Sequence, residues 1–248
     1  MPAGALYATF GHFIYGVGYL EVDDASMVQQ PDPPGFSTPM ISLTFDDGSA
    51  GIYKNAWPII QGHNFKTTQY IPTGTLNVDP NKNDPDMMTV SQLSTMAAAG
   101  QEIASHSVTH PYLTTKTGQA LNTEMTNSKS FLETNVPGAK PVTDFAYPYG
   151  DYDASVIAAE QSAGYVTGRS VEEGYISKLD LSPYDLRVQN ILSTTTVADF
   201  ESWVDYAKAH NYWLIVVFHE VQTDTTPTCQ DLPTDPNPCL EGWCETTC

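Results

Sequence analysis

The chain has 248 residues, with 29 Asp and Glu against 10 Lys and Arg and a formal net charge of -19. Ten scattered cations form no positive stripe, which argues against nucleic acid and anionic membrane surfaces as partners and favours a neutral or cationic substrate. At 41% hydrophobic residues a full core can form, while no run of about 18 apolar residues is present to span a bilayer.

Residues 1–28 alternate aromatic and small residues and read as a β-rich remnant of an N-terminal neighbour. Their apolar opening lacks a basic flank and an A-x-A-like cleavage site, so it reads as an internal piece of a longer precursor and not as a signal peptide. QQPDPPGFSTP (29–39) is a Pro-rich linker. From 40 to 220, strand-like runs alternate with helical patterns: MISLTF (40–45), TTQYI (67–71), EIASH (102–106), VTDFAY (142–147), YVTG (165–168), LRVQNIL (186–192) and YWLIVVF (212–218). Thr89 to Gln92 carries a capping-box signature, with Gly100 as a stop. Asp153 opens a helix closed by Gly164, a third helical pattern runs over 194–210, and Pro58 weakens the helix after residue 50. Seven strands alternating with helices predict a parallel α/β fold, as a barrel or an open sheet. From 221 to 248 lies a Thr/Pro-rich tail whose Cys229, Cys239, Cys244 and Cys248 predict two disulfides and an oxidising compartment. Their 9-4-3 residue gaps contain no C-x-x-C zinc pair.

Four short motifs follow strand ends, where α/β folds assemble their sites. In Thr44-Phe45-Asp46-Asp47-Gly48, one carboxylate can bind a cation while its neighbour stays free as a base; the plainer alternative is a solvated Asp-Asp-Gly turn. His106-Ser107-Val108-Thr109-His110 places two imidazoles four residues apart, on one face if the segment is a helical turn, as a pair of metal ligands requires. Two His and one Asp leave an open fourth position, and the other Asp is the natural general base. Tyr147-Pro148-Tyr149-Gly150 is a rigid turn whose backbone N–H groups could face a developing oxyanion. His219 ends the last apolar strand, where it could act as a general acid. Which of Asp46 and Asp47 would bind a metal is left open by these residues alone.

In this order and spacing, TFDDG, H-S-x-x-H, the P-Y-G turn and the strand ending in His resemble the NodB-type polysaccharide deacetylases, the fourth family of carbohydrate esterases. FAYPYG resembles a subgroup of which some members act on poly-N-acetylglucosamine. The resemblance covers 40–220 and implies a distorted (β/α)-barrel of seven strands that removes N-acetyl or O-acetyl groups from a polysaccharide. It also implies a divalent metal, usually Zn2+, with Co2+ or Ni2+ as alternatives. Carried over, Asp46 is the base, Asp47, His106 and His110 bind the metal, Tyr149 lends its N–H to the oxyanion hole, and His219 is the acid.

Three departures follow. Ala146 stands where the family often has an Arg that orients the base, so Arg187, with Asp185 near it, is the expected substitute. Val217 replaces a pocket-lining Leu, with Pro148 and Tyr112 as further pocket candidates. The family's last helix has no counterpart before the cysteine tail. Tyr112, Tyr149 and Trp213 are candidates to stack on sugars. The expectation is a secreted or cell-surface deacetylase, part of a larger modular protein, acting on an N-acetylglucosamine-containing glycan (chitin, peptidoglycan or poly-N-acetylglucosamine). The alternatives are an O-acetyl xylan esterase, a metal amidohydrolase of small amides, and a glycan-binding module with weakened catalysis.

Overall fold

Seven parallel strands, taken in chain order, close into a barrel: β1 (Met40–Phe45), β2 (Thr68–Ile71), β3 (Glu102–Ser105), β4 (Asp144–Ala146), β5 (Thr167–Glu173), β6 (Leu186–Asn190) and β7 (Trp213–Phe218). The computed structural model describes residues 35–77, 84–179 and 181–222. The expected N-terminal neighbour, the first part of the linker and the cysteine tail lie outside the described residues. Closure is made by β1 against β7 along the whole length of both strands, from Met40 opposite Trp213 to Phe45 opposite Phe218. Barrel and open sheet are equally compatible with the sequence pattern, and this pairing decides for the barrel. The barrel is uneven: β3 meets β4 only at Ser105 and Phe145, and β5 shifts register against β6 between Arg169 and Glu173.

Alternation along each strand sorts residues between the barrel interior and the helical layer. Phe45, Ile71, Ile103 and Phe145 belong to the main apolar core with residues of the surrounding helices. Tyr70, Ala104 and Ala146 form a separate small cluster, and Leu186, Val188, Ile215 and Val217 another.

Among the described residues five α-helices flank the barrel: α1 (Trp57–Gly62), α2 (Val90–Ala98), α3 (Gly118–Asn135), α4 (Ala154–Ser162) and α5 (Val197–His210). Thr89 and Gln92 complete the expected capping box of α2, a device worth about 1 kcal/mol, and Gly100 follows its end at φ 82°. Asp153 caps α4 through the Ser155 and Val156 amides, as expected, and Thr196 caps α5. As expected, Pro58 perturbs the helix that begins after residue 50: the helical run continues unbroken to Gly62, with Ala56 and Trp57 both right-handed helical, but the stretch Ile52–Ala56 just before the proline is π-helical. The longest helix, α3, was not singled out from the sequence. Its buried stripe of Leu121, Met125 and Leu132 has helical spacing, but Glu124 and Ser128 interrupt it with polar groups. Among the described residues no helix is long and apolar enough to cross a membrane.

Candidate active site

The site forms at the C-terminal ends of the strands and begins at the exit of β1. The Asp46 amide still bonds the Phe218 carbonyl at 2.9 Å, so Asp46 continues the strand and is almost fully buried. Asp47 and Gly48 then turn the chain with φ of 68° and 72°. This turn separates two adjacent carboxylates: Asp46 stays inside, while the Asp47 side chain is 41% exposed at the rim.

His106 extends β3, its amide bonded to the Ile71 carbonyl at 3.0 Å, and its ring is buried. Nδ1 lies 2.7 Å from the Ala146 carbonyl oxygen. That oxygen can only accept, so Nδ1 carries the hydrogen and Nε2 presents its lone pair. Burial, together with the nearby His110, pulls the His106 pKa down to about 4 despite Asp46 and Asp47, which keeps the ring neutral.

The segment from Ser107 to His110 is not the helical turn expected from the spacing. Ser107 and His110 adopt φ of 67° and 54°, and this tight loop, not a helix face, brings the two rings together. The Nε2 atoms are 3.1 Å apart, with Asp47 Oδ1 at 3.6 Å from His106 Nε2 and 3.5 Å from His110 Nε2. Asp47, His106 and His110 each offer a ligand atom within 4.8 Å of the others. Two imidazole nitrogens and one carboxylate oxygen, with neutral His106 oriented by a carbonyl, are a donor set suited to a divalent metal such as Zn2+.

Arg169, on β5, is not among the candidates that the sequence motifs single out, yet it sits on Asp46. Its Nη2 makes a very short ion pair with Asp46 Oδ2, its Nη1 donates to the Ser170 carbonyl at 3.0 Å, and its guanidinium lies 4.8 Å over the Tyr70 ring. Burial pushes the Asp46 carboxyl up, but Arg169, with His106 and His219, brings it below its ordinary value. The expected substitutes are corrected accordingly. Arg187 is exposed between inward Leu186 and Val188, because strand alternation turns it to the outside, where it packs near Gly174. Asp185 bonds Tyr152 instead of the Asp46 pair. Ala146 pairs in register with Arg169, so the small residue sits beside the arginine that pairs with Asp46 from the next strand. The sequence signal was an arginine directly after the apolar run ending at Gly168, in a chain with only ten Lys and Arg.

Tyr149 lies in the predicted turn, left-handed at φ 59°, with Gly150 and Asp151 amides bonded to the Tyr147 and Pro148 carbonyls. Its ring stacks on Tyr112 at 4.3 Å and meets His110 edge-on at 4.5 Å, which puts both tyrosines beside the metal-type cluster. Pro148 is buried in the same turn, and Val217 is buried with Ile215 and Val188. His219 follows β7 and acts electrostatically on Asp46. Trp213 is corrected: it opens β7, at the end of the barrel away from the site, and donates to Ser42 Oγ at 3.0 Å.

Behind the turn, the Tyr147 hydroxyl donates to Glu160 on α4. A Cβ at Gly168 would overlap both groups, so this close approach requires glycine. Burial pushes the Glu160 pKa up to about 8, against the hydrogen bond from Tyr147 that lowers it. A raised folded value gives stability that is full below the unfolded value of 4.5 and is lost as pH rises through about 8. Stability against thermal unfolding is therefore expected to fall across that window by up to about 5 kcal/mol, and Glu160→Gln should flatten the slope. An unchanged slope in the variant would assign the pH dependence elsewhere.

A polysaccharide deacetylase family model matches residues 35–168. The polysaccharide-deacetylase-type protein YxkH of Bacillus subtilis is 26% identical over 182 residues, covering 73% of this chain and 61% of that protein. The chain thus spans less than two thirds of that relative's length. Among solved structures, the Streptococcus pyogenes deacetylase PplD in complex with acetate superposes with a TM-score of 0.58 and 25% identity, over 65% of this chain and 68% of that one. A de-N-acetylase from Aggregatibacter actinomycetemcomitans shares the fold with a TM-score of 0.56 and 17% identity, over 65% and 73% of the two chains.

Proposed function

Because the chain belongs to the polysaccharide deacetylase family of NodB type, we propose that it is a metal-dependent hydrolase that removes acetyl groups from an N-acetylglucosamine-containing polysaccharide. The observation that carries this reading is the different setting of the two aspartates. Asp47 Oδ1 stands 3.5 and 3.6 Å from the two imidazoles, while Asp46 is held through Oδ2 on Arg169 and its buried Oδ1 has no hydrogen-bond partner among the described residues.

Asp47, His106 and His110 would hold a divalent metal, Zn2+ by its donor set with Co2+ or Ni2+ as alternatives, which would supply Lewis-acid polarisation of the acetyl carbonyl. Asp46 Oδ1 takes the proton from the attacking water, with Arg169 keeping the carboxylate ionised inside the barrel. The Tyr149 N–H donates to the carbonyl oxygen as negative charge develops there. His219 gives a proton to the sugar nitrogen as the C–N bond breaks, so that acetate and a free amine leave. Val217 and Pro148 line the acetyl pocket, and Tyr112 beside Tyr149 offers a ring face to the sugar. Arg169 also weighs against a catalytically weakened binding module, since Ala146 no longer implies a base without a cation.

A net charge of -19 suits a product that becomes cationic as it is deacetylated, a benefit that acetylated xylan would not share. Secretion or cell-surface placement within a larger modular protein, with a polysaccharide as partner, belongs to the same proposal.

Acetate release should be measured on chitin oligomers, poly-N-acetylglucosamine, peptidoglycan and acetylated xylan, with protein stripped by chelator and then resupplied with Zn2+. Release from an amino-sugar polymer that disappears on chelation and returns with Zn2+ is expected. Release from xylan alone would transfer the assignment to the O-acetyl esterase, and silence on every polymer with Zn2+ bound would overturn the reading.

A further inference from the structure

We propose that Glu124, on α3, is a positioning residue that pre-forms the His106–His110 pair for its metal; the inference rests on the metal reading above. The loop from Ser107 to His110 contains two non-glycine residues in the left-handed region, at φ 67° and 54°, a backbone that needs external support. Glu124 is buried, and its carboxylate is directed at this loop: Oε2 accepts the Val108 and Thr109 amides, each at 2.9 Å, and Oε1 accepts the Thr109 hydroxyl at 2.7 Å. Ser107 Oγ accepts the His110 amide at 3.0 Å, completing the turn that carries the second imidazole.

The same helix is fixed to the strand carrying the first imidazole, since Ser128 on α3 and Ser105 on β3 share a hydrogen bond of 2.7 Å. Leu121, Met125 and Leu132 bury the remainder of that face. One rigid element therefore references both ligands. Burying a carboxylate in a largely apolar stripe is unfavourable unless its oxygens are satisfied, and here the Val108 amide, the Thr109 amide and the Thr109 hydroxyl that satisfy them all belong to the metal-ligand loop.

The test is Zn2+ affinity, measured by competition with a chromophoric chelator, alongside the thermal midpoint of the metal-free protein. Glu124→Ala is expected to weaken Zn2+ binding by about 10–100-fold, the usual scale for groups that orient metal ligands. Glu124→Gln should remain close to wild type, because its carbonyl can accept both amides and its NH2 can donate to the Thr109 hydroxyl oxygen. Leu121→Ala removes packing from the same helix without touching the loop, and should lower the thermal midpoint while leaving Zn2+ affinity unchanged. Should Glu124→Ala fail to fold, Thr109→Val removes one arm of the clamp and should weaken Zn2+ binding several-fold.

Wild-type affinity in Glu124→Ala, or in Thr109→Val if that variant has to decide, would overturn the proposal and leave Glu124 a structural staple. A loss no larger than that in Leu121→Ala would do the same. Wild-type protein that binds no Zn2+ would overturn the metal reading itself, so the two failures are distinguishable.

Discussion

Asp46→Asn is expected to lower acetate release by about 10²–10⁴-fold, the range of general acid–base catalysis, while the protein still binds its metal. The substitution keeps the size of the side chain and an oxygen for Arg169, but the amide cannot take a proton from water. Asp46 Oδ2 is 4.0 Å from His106 Nε2, against 3.6 Å for Asp47 Oδ1, and of the two aspartates it is Asp47 that pairs with His110. Removing the Asp46 charge should therefore spare the ligand set. It also leaves Arg169 buried without its counter-charge, so the thermal midpoint will fall and both assays should be run well below it. Zinc stoichiometry and acetate release from the same preparation are the readouts. Loss of zinc together with activity would reverse the roles assigned to the two aspartates.

Arg169→Met is expected to have the larger effect on stability, on the order of 3–5 kcal/mol, because it strands a carboxylate inside the barrel. Burial raises the Asp46 carboxyl and Arg169 is the first of the groups that bring it down, so without the guanidinium the carboxyl stays protonated to higher pH. The acid limb of the pH–rate profile should move upward and kcat should fall by roughly 10–100-fold with KM little changed. In the wild type the sign for stability is the reverse of that for Glu160: the Asp46 contribution is present above the unfolded value of 3.8 and is lost as pH falls through the lower folded one. Arg169→Lys keeps the charge and should recover part of kcat. Arg187→Met, at an exposed position, should behave like the wild type and is the control. An unchanged pH limb in Arg169→Met would remove Arg169 from the mechanism.

Most strands and most helix boundaries were legible in the sequence because their signals are local; YVTG (165–168) meets β5 only at Thr167 and Gly168, because β5 runs on to Glu173 through mostly polar residues that give no apolar signal. MISLTF matches β1, YWLIVVF covers all of β7 and starts one residue before it, and the caps at Thr89 and Asp153 start α2 and α4 as predicted. The helix α3 was less visible because two of its buried positions are Glu124 and Ser128, polar groups whose partners are remote in the chain. The candidate site divides in the same way. Asp46, Asp47, His106, His110 and the Tyr149 turn could be named because each follows an apolar run directly, and their order matches a known family.

What the sequence by itself determined is the set of candidate site residues, their attachment to strand ends, and the acidic composition of the chain. Tertiary structure decided the rest. It closed the sheet through β1 and β7, folded the His106–His110 segment as a left-handed loop instead of a helical turn, and chose Arg169 over Arg187 as the cation on Asp46. Arg187 differs from its strand neighbours only in parity, and Arg169 lies 123 residues from the carboxylate it holds. Which arginine faces inward depends on strand register, and register is set by the pairing of the whole barrel, not by any residue's immediate neighbours.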